Sequence, residues 1–160
     1  MSVSNFLQSE YRLGRYSVAR ILVVEDSNDV QELLCLALAD EGHAAHGVET
    51  VAQGSRALEG GNYELLIADM RLPDGSGAEL ADRALTRGVE ALLTTGHPEE
   101  MQLLERRGID YLRKPFPLKY MMRLVDRLVA KGRLRRARAA ASRLLQPRRR
   151  DNSGSVKRAP

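Results

Sequence analysis

The chain has no tryptophan, only two phenylalanines and a single cysteine among its 160 residues. Large rings are scarce, so any core must be assembled mainly from Leu, Val, Ile and Ala. Cys35 alone cannot form an internal disulfide, and a metal site built from several thiolates is excluded. No apolar run approaches the roughly 18 residues that a bilayer-spanning helix needs. A basic start followed by an apolar block, the mark of a secretory leader, is also missing at the N-terminus. Cytoplasmic residence is therefore expected. Apolar residues still make up 43% of the chain, enough for one packed domain.

The net charge of +4 divides unevenly. Residues 1–131 carry 15 Lys and Arg against 20 Asp and Glu, whereas residues 132–160 carry 10 against the single acid Asp151. The globular part is acidic, and any attraction to a polyanion belongs to the tail. Three segments are expected: an N-terminal arm over 1–18, a domain over 19–131, and a basic, partly helical or disordered tail over 132–160. In the arm, Phe6, Leu7, Tyr11, Leu13 and Tyr16 lack a sustained period and fit a loose segment or a short docking helix.

Within the domain, short apolar runs alternate with helical patterns. Ile21–Val24 and Leu65–Ala68 are continuous runs of the kind found in strands buried on both faces. His43–Val48, Ala91–Leu93 and Tyr111–Arg113 are weaker strands. Between them, Val30, Leu33, Leu34, Ala37 and Leu38 mark one helical stripe. Asn28 with Gln31, Thr50 with Gln53, and Ser76 with Glu79 have capping-box spacing. Pro98 and Pro117 suit helix starts, and Gly42, Gly60-Gly61, Gly88 and Gly108 suit helix ends. Five strands alternating with five helices predict an α/β fold: a doubly wound parallel sheet with helices on both faces.

In such sheets ligands bind beyond the carboxyl ends of the strands. Four of the predicted strands end in polar residues: Glu25-Asp26, Asp69, Thr94-Thr95 and Lys114. Parallel strands would gather three carboxylates, a hydroxyl and an ammonium at one edge. Close carboxylates repel one another, and a hard divalent cation such as Mg²⁺ relieves that repulsion through oxygen ligands. Metal, ammonium and hydroxyl together suit a phosphoryl group. Asp69, followed by a turn-rich Pro73-Asp74-Gly75 segment, is the candidate nucleophile. Each acid taken singly also fits an ordinary cap or turn; the joint placement at strand ends does not.

The blocks Glu25-Asp26, Asp69 to Gly77, Thr95-Gly96 and Tyr111 to Phe116, in this order and spacing, resemble the CheY-like receiver domains of two-component response regulators. The likeness covers about residues 19–131. It implies the flavodoxin-like strand order 2-1-3-4-5 and a role for each matched residue. Asp69 would accept the phosphoryl group from a phosphohistidine. Asp26 and Asp69 would bind Mg²⁺ (or Mn²⁺), joined by the Arg71 backbone carbonyl. Glu25 stands where the family more often has Asp, and would act on the metal directly or through water. Lys114 would pair with the phosphoryl oxygens, and the bond to Pro115 is expected to be cis. Thr95 would be the switch hydroxyl, preferred over Thr94 because Gly96 supplies the small residue that usually follows. Tyr111 would be the aromatic that swings inward with it, the plainer reading being a half-buried core tyrosine.

The implied partners are a sensor histidine kinase or histidine phosphotransfer protein, and a downstream protein bound through about residues 98–131. A homodimer is a further option. Some 29 residues after the domain are too few for a DNA-binding output domain, so a stand-alone receiver is expected, a phosphoacceptor signalling module rather than a turnover enzyme. Two alternatives stand beside it: a pseudo-receiver that binds without phosphorylation, and a nucleic-acid-associated regulator acting through the arginine-rich tail. In that tail Leu134, Ala137, Ala141, Leu144 and Leu145 have helical spacing among arginines, with Gly132 weakening the join and Pro147 ending the pattern. No aromatic interleaves the arginines, so base stacking is unsupported, and contact with nucleic acid or an anionic membrane is a minor option. His43 and His46, spaced i, i+3, are not expected to ligate a metal, His97 fits an exposed loop, and Cys35 fits a small apolar filler. Asp74 to Gly77 lacks the third glycine of a dinucleotide fingerprint.

Overall fold

The computed structural model describes residues 18–144. The expectations for the N-terminal arm, for Leu145 and for the stop at Pro147 lie outside the described residues. In chain order the elements are β1 Arg20–Val24, α1 Asn28–Asp40, β2 Ala44–Val48, α2 Val51–Gly60, β3 Leu65–Asp69, β4 Arg71–Leu72, β5 Gly75–Ser76, α3 Gly77–Thr86, β6 Glu90–Thr95, α4 Pro98–Arg107, β7 Asp110–Arg113 and α5 Leu118–Leu144. Five strands form one parallel sheet in the order β2-β1-β3-β6-β7. With the β4–β5 hairpin set aside, this is the order 2-1-3-4-5. The hairpin lies where the sequence predicts only a loop; Arg71 pairs with Ser76 and Leu72 with Gly75 around the Pro73-Asp74 turn.

The strands read as continuous apolar runs because both faces are covered. Ile21, Val23, Leu65, Ile67, Leu92 and Leu112 pack against Leu34 and Leu38 of α1 and Met121, Val125 and Leu128 of α5. On the opposite face, Leu22, Val24, Leu66, Ala68, Ala91 and Leu93 meet Leu58 of α2, Leu80, Ala81 and Ala84 of α3, and Leu104 of α4. The side chains are mostly aliphatic, as the scarcity of rings requires. The α1 stripe is narrower than predicted, since Leu33 is half exposed.

Local chemistry explains the ends. Thr50 and Ser76 cap α2 and α3 with bonds from Gln53 N (3.2 Å) and Ala78 N (3.2 Å). Asp74, in the hairpin turn, adds to the α2 start by accepting from Val51 N (2.7 Å) and Ala52 N (2.9 Å). The Asn28–Gln31 box does not form. Ser27 is the N-cap, without a side-chain bond, and Gln31 Nε2 instead donates to the carbonyls of Glu25 (2.9 Å) and Val48 (2.8 Å), tying the ends of β1 and β2 together.

Helix α5 runs without a break through Gly132, where the sequence predicts a weak join. Glu90 explains the glycine: a Cβ at position 132 would sit 3.0 Å from Glu90 Cγ. The helix is stapled to the amino-terminal edge of the sheet by charge. Arg133 forms a two-pronged pair with Glu64 (2.6 and 3.0 Å), Arg136 reaches the same carboxylate (3.3 Å), and Arg135 and Lys131 flank the buried Glu90 (3.0 and 3.5 Å). Leu134 and Leu144 are exposed, so among the described residues nothing covers this part of the predicted apolar face. No helix among the described residues is long and apolar enough to cross a membrane.

Candidate functional site

The acidic edge follows from strand register. β1 and β3 are neighbours with Val24 opposite Ala68, so the next residues, Glu25 and Asp69, emerge side by side. Glu25, Asp26 and Asp69 each offer a carboxylate oxygen, and these oxygens lie within 4.8 Å of one another. Glu25 is buried, Asp69 half-buried and Asp26 exposed, a gradient from sheet to solvent. The chain after Asp69 folds back sharply enough that a Cβ at Gly77 would lie 2.1 Å from the Asp69 carbonyl oxygen. Only glycine fits there. Arg71 opens β4 and donates its backbone N–H to Asp69 Oδ1 (3.3 Å).

Lys114 enters from the far side. Its backbone N–H donates to the Thr95 carbonyl (2.7 Å), and its peptide bond to Pro115 is cis. Nζ donates to Asp69 Oδ2 (2.7 Å) and Glu25 Oε2 (3.1 Å). Burial pushes the Glu25 carboxyl above its ordinary value, more than the hydrogen bond and charge of Lys114 pull it down. For Lys114, burial works against the ammonium, but the bonds to Asp69 and Glu25 outweigh it and its pKa is raised. The ammonium thus neutralises part of a cluster whose most buried member is ionised at a penalty. The remaining donors are all oxygen, which fits a hard divalent cation of the Mg²⁺ or Mn²⁺ type and not a thiolate- or imidazole-seeking one.

The two threonines have different surroundings. Thr94 is the register partner of Asp69, its carbonyl accepts from Met70 N (2.9 Å), and its buried hydroxyl has no hydrogen-bond partner among the described residues. Thr95 ends β6 with its hydroxyl donating to Glu100 and accepting from the His97 N–H (3.1 Å). Glu100 is further held by Arg71 Nε (2.7 Å). Tyr111 is half-buried against the core and donates its hydroxyl to Glu105 (2.6 Å). Sequence reasoning did not single out Glu100 or Glu105. The available signal was positional: both lie on the helix that Pro98 opens directly after Thr95.

The other singled-out groups lie apart from the cluster. His43 Nδ1 accepts from Ala19 N (3.3 Å), with Nε2 3.9 Å from Asp126. His46 Nδ1 meets the Tyr63 hydroxyl (2.5 Å). Cys35 is half-buried, and burial raises its thiol pKa, as suits a filler.

A parallel sheet in this order, with an acidic trio and a lysine at its carboxyl edge, is the layout of a receiver-type signalling domain. The chain belongs to the response regulator receiver domain family, whose model matches residues 21–126. It is a receiver domain of the kind found in two-component response regulators. The transcriptional regulatory protein TcrA of Mycobacterium tuberculosis is 35% identical over 127 residues, which cover 74% of this chain and 49% of TcrA. The phosphate regulon transcriptional regulatory protein PhoB of Escherichia coli is 31% identical over 110 residues, 64% of this chain and 48% of PhoB. This chain thus spans about half the length of the curated relatives it matches. Among solved structures, TrrA from Thermotoga maritima, in complex with Mg(2+)-BeF, is 28% identical with a TM-score of 0.64, covering 69% of this chain and 99% of that one. A CheY-like receiver domain protein from Methanospirillum hungatei is 25% identical with a TM-score of 0.68, covering 74% and 99%.

Proposed function

We propose that this protein is a phosphoacceptor switch of two-component signalling, with Asp69 as the acceptor. One observation carries the reading: the Lys114 ammonium sits 2.7 Å from Asp69 inside a trio of carboxylates. An Asp69 carboxylate oxygen attacks the phosphorus of a phosphohistidine on a kinase or phosphotransfer protein. The P–N bond breaks, its electron pair stays on the imidazole nitrogen, which takes up a proton, and Asp69 carries an acyl phosphate. Asp26, Asp69 and the Arg71 backbone carbonyl, with Glu25 directly or through water, would hold Mg²⁺ or Mn²⁺, which would supply Lewis-acid charge for the phosphoryl oxygens.

Lys114 pairs with a phosphoryl oxygen and Thr95 donates a hydrogen bond to another, and Tyr111 follows Thr95 inward. The resulting change of populations alters partner affinity across α4, β7 and α5, in the cytoplasm. Turnover beyond slow self-dephosphorylation is not part of the reading. The basic residues at the start of the α5 extension, Lys131, Arg133, Arg135 and Arg136, are paired with Glu64 and Glu90, which favours signalling through protein contacts over polyanion binding.

The test is a small-molecule phosphodonor with Mg²⁺, followed by intact mass. One Mg²⁺-dependent phosphoryl adduct on the native chain, absent from Asp69→Asn, is the expected result. No adduct on a chain that binds Mg²⁺ would replace this reading with the pseudo-receiver.

A further inference from the structure

Thr95 and Tyr111 are held by one helix. α4 buries a single side chain, Leu104, so polar contacts carry much of its attachment. Glu100, in its first turn, accepts from the Thr95 hydroxyl while Arg71 Nε grips its other oxygen at 2.7 Å. Glu105, toward its C-terminal end, accepts from the Tyr111 hydroxyl at 2.6 Å. Arg107 pairs with Asp82 of α3 and secures the same end.

A threonine hydroxyl has one proton to donate. While that proton lies on Glu100, it is unavailable to an oxygen on Asp69, and the His97 N–H fills an acceptor site of the same hydroxyl. The Arg71 guanidinium on the other oxygen orients the Glu100 carboxylate toward the Thr95 hydroxyl. Charge-assisted bonds of this kind are the stronger class.

We infer that Glu100 and Glu105 are positioning residues that latch the resting state: α4 holds the Thr95 and Tyr111 hydroxyls by two carboxylates, and each bond must break before its side chain can leave, Thr95 toward a phosphorylated Asp69 and Tyr111 inward behind it. The inference rests on the phosphoacceptor reading of Asp69. Opening the latch in advance raises the population competent for the phosphoryl group, and apparent affinity rises by the same factor.

Beryllofluoride with Mg²⁺, titrated into the full chain and followed by NMR of threonine methyl and tyrosine ring signals, tests this. Glu100→Ala is expected to tighten the apparent Kd about tenfold, a hydrogen bond to a charged group discounted for partial exposure. In a Thr95→Val background the same substitution is expected to change nothing. Glu105→Ala is expected to tighten it about twofold, and not at all in a Tyr111→Phe background. Equal tightening with and without the Thr95 hydroxyl would mean that removing a negative charge is the whole effect, and would overturn the latch. Saturable binding by the native chain with Glu100→Ala unmoved would overturn the latch alone. No response of the native chain would overturn the phosphoacceptor reading and the latch with it. Glu100→Met, which keeps most of the side-chain volume and removes both acceptor oxygens, gives the same comparison if the alanine variant melts early.

Discussion

Replacing Lys114 by methionine keeps most of the side-chain volume and removes the ammonium from between Asp69 and Glu25. The contacts, 2.7 and 3.1 Å between atoms, correspond to about 6 and about 5 kcal/mol of gross attraction at an effective dielectric constant of about 20. Desolvation of Lys114 and of the nearly inaccessible Glu25 side chain offsets much of this, and the one-third exposure of Lys114 lets water screen part of the rest. The expected net loss in metal-free buffer is about 2 kcal/mol, between the value of an exposed pair and the loss on removing one partner of a buried one. For a domain of this size that lowers the melting midpoint by about 6–12 °C.

The loss should depend on pH. Glu25 already titrates above its ordinary value because of burial, and without Lys114 it rises further. A carboxyl whose pKa is raised on folding destabilises its ionised form, so the variant regains stability as pH falls through that folded pKa. In the native chain the raised Lys114 pKa means that its contribution is complete below 10.5 and is lost only as pH rises through the folded value. Circular-dichroism melts at about pH 5 and about pH 8, with and without millimolar Mg²⁺, keep Lys114 charged throughout and read the Glu25 dependence. The deficit should be largest at the higher pH without metal and should shrink when Mg²⁺ occupies the carboxylates. A variant that melts with the native chain at the higher pH without metal, or whose deficit is the same at both pH values, would refute the electrostatic reasoning.

Thr94→Val replaces a buried hydroxyl that has no partner among the described residues by a methyl group and should stabilise the fold by about 1 kcal/mol in denaturant titration, while the phosphoryl adduct still forms. Asp74→Ala should lower the melting midpoint at neutral pH. Asp74 is held below its ordinary value of 3.8 by the N–H groups of Ala52 and Val51, so its contribution is present above 3.8 and fades as pH falls through the lower folded value, where variant and native melts should converge. Gly132→Ala should not deliver the ~1 kcal/mol that alanine normally adds inside a helix, because the new methyl group meets Glu90. In a Glu90→Ala background the same substitution should recover that gain, measured by a double-mutant cycle of unfolding free energies.

The layout of the fold was legible because both of its signals are local. Runs such as Ile21–Val24 and Leu65–Ala68 are apolar throughout only where a strand is covered on both faces, and Thr50, Ser76 and Pro98 mark helix starts by chemistry within a few residues. The gathering of Glu25, Asp26, Asp69 and Lys114 was legible for a related reason. Parallel strands put their last residues on one edge, so identity at strand ends is enough to predict neighbours in space.

Side-chain partnerships across the molecule were not legible. Gln31 has the spacing of a capping residue, yet it spans two carbonyls at the ends of β1 and β2, because those carbonyls lie within its reach only after the sheet forms. Gly132 looks like a helix breaker, yet it is the position where α5 must clear a buried carboxylate from β6. Arg133 and Arg136 read as part of a basic tail, yet Glu64, some seventy positions earlier, absorbs both. The choice of hydroxyl partner for Thr95 likewise depends on how α4 settles against β6, through Glu100 and the Arg71 bond that orients it.

By itself the sequence determined the strand and helix alternation, the parallel sheet, and the acid–lysine edge, because each depends on residue type at short range and on the fixed direction of parallel strands. Only the tertiary structure decided which carboxylate Lys114 grips most closely, which acceptor holds the Thr95 proton, and how far α5 belongs to the domain. Those outcomes turn on distances of a few tenths of an ångström between residues far apart in the chain, which no local pattern encodes.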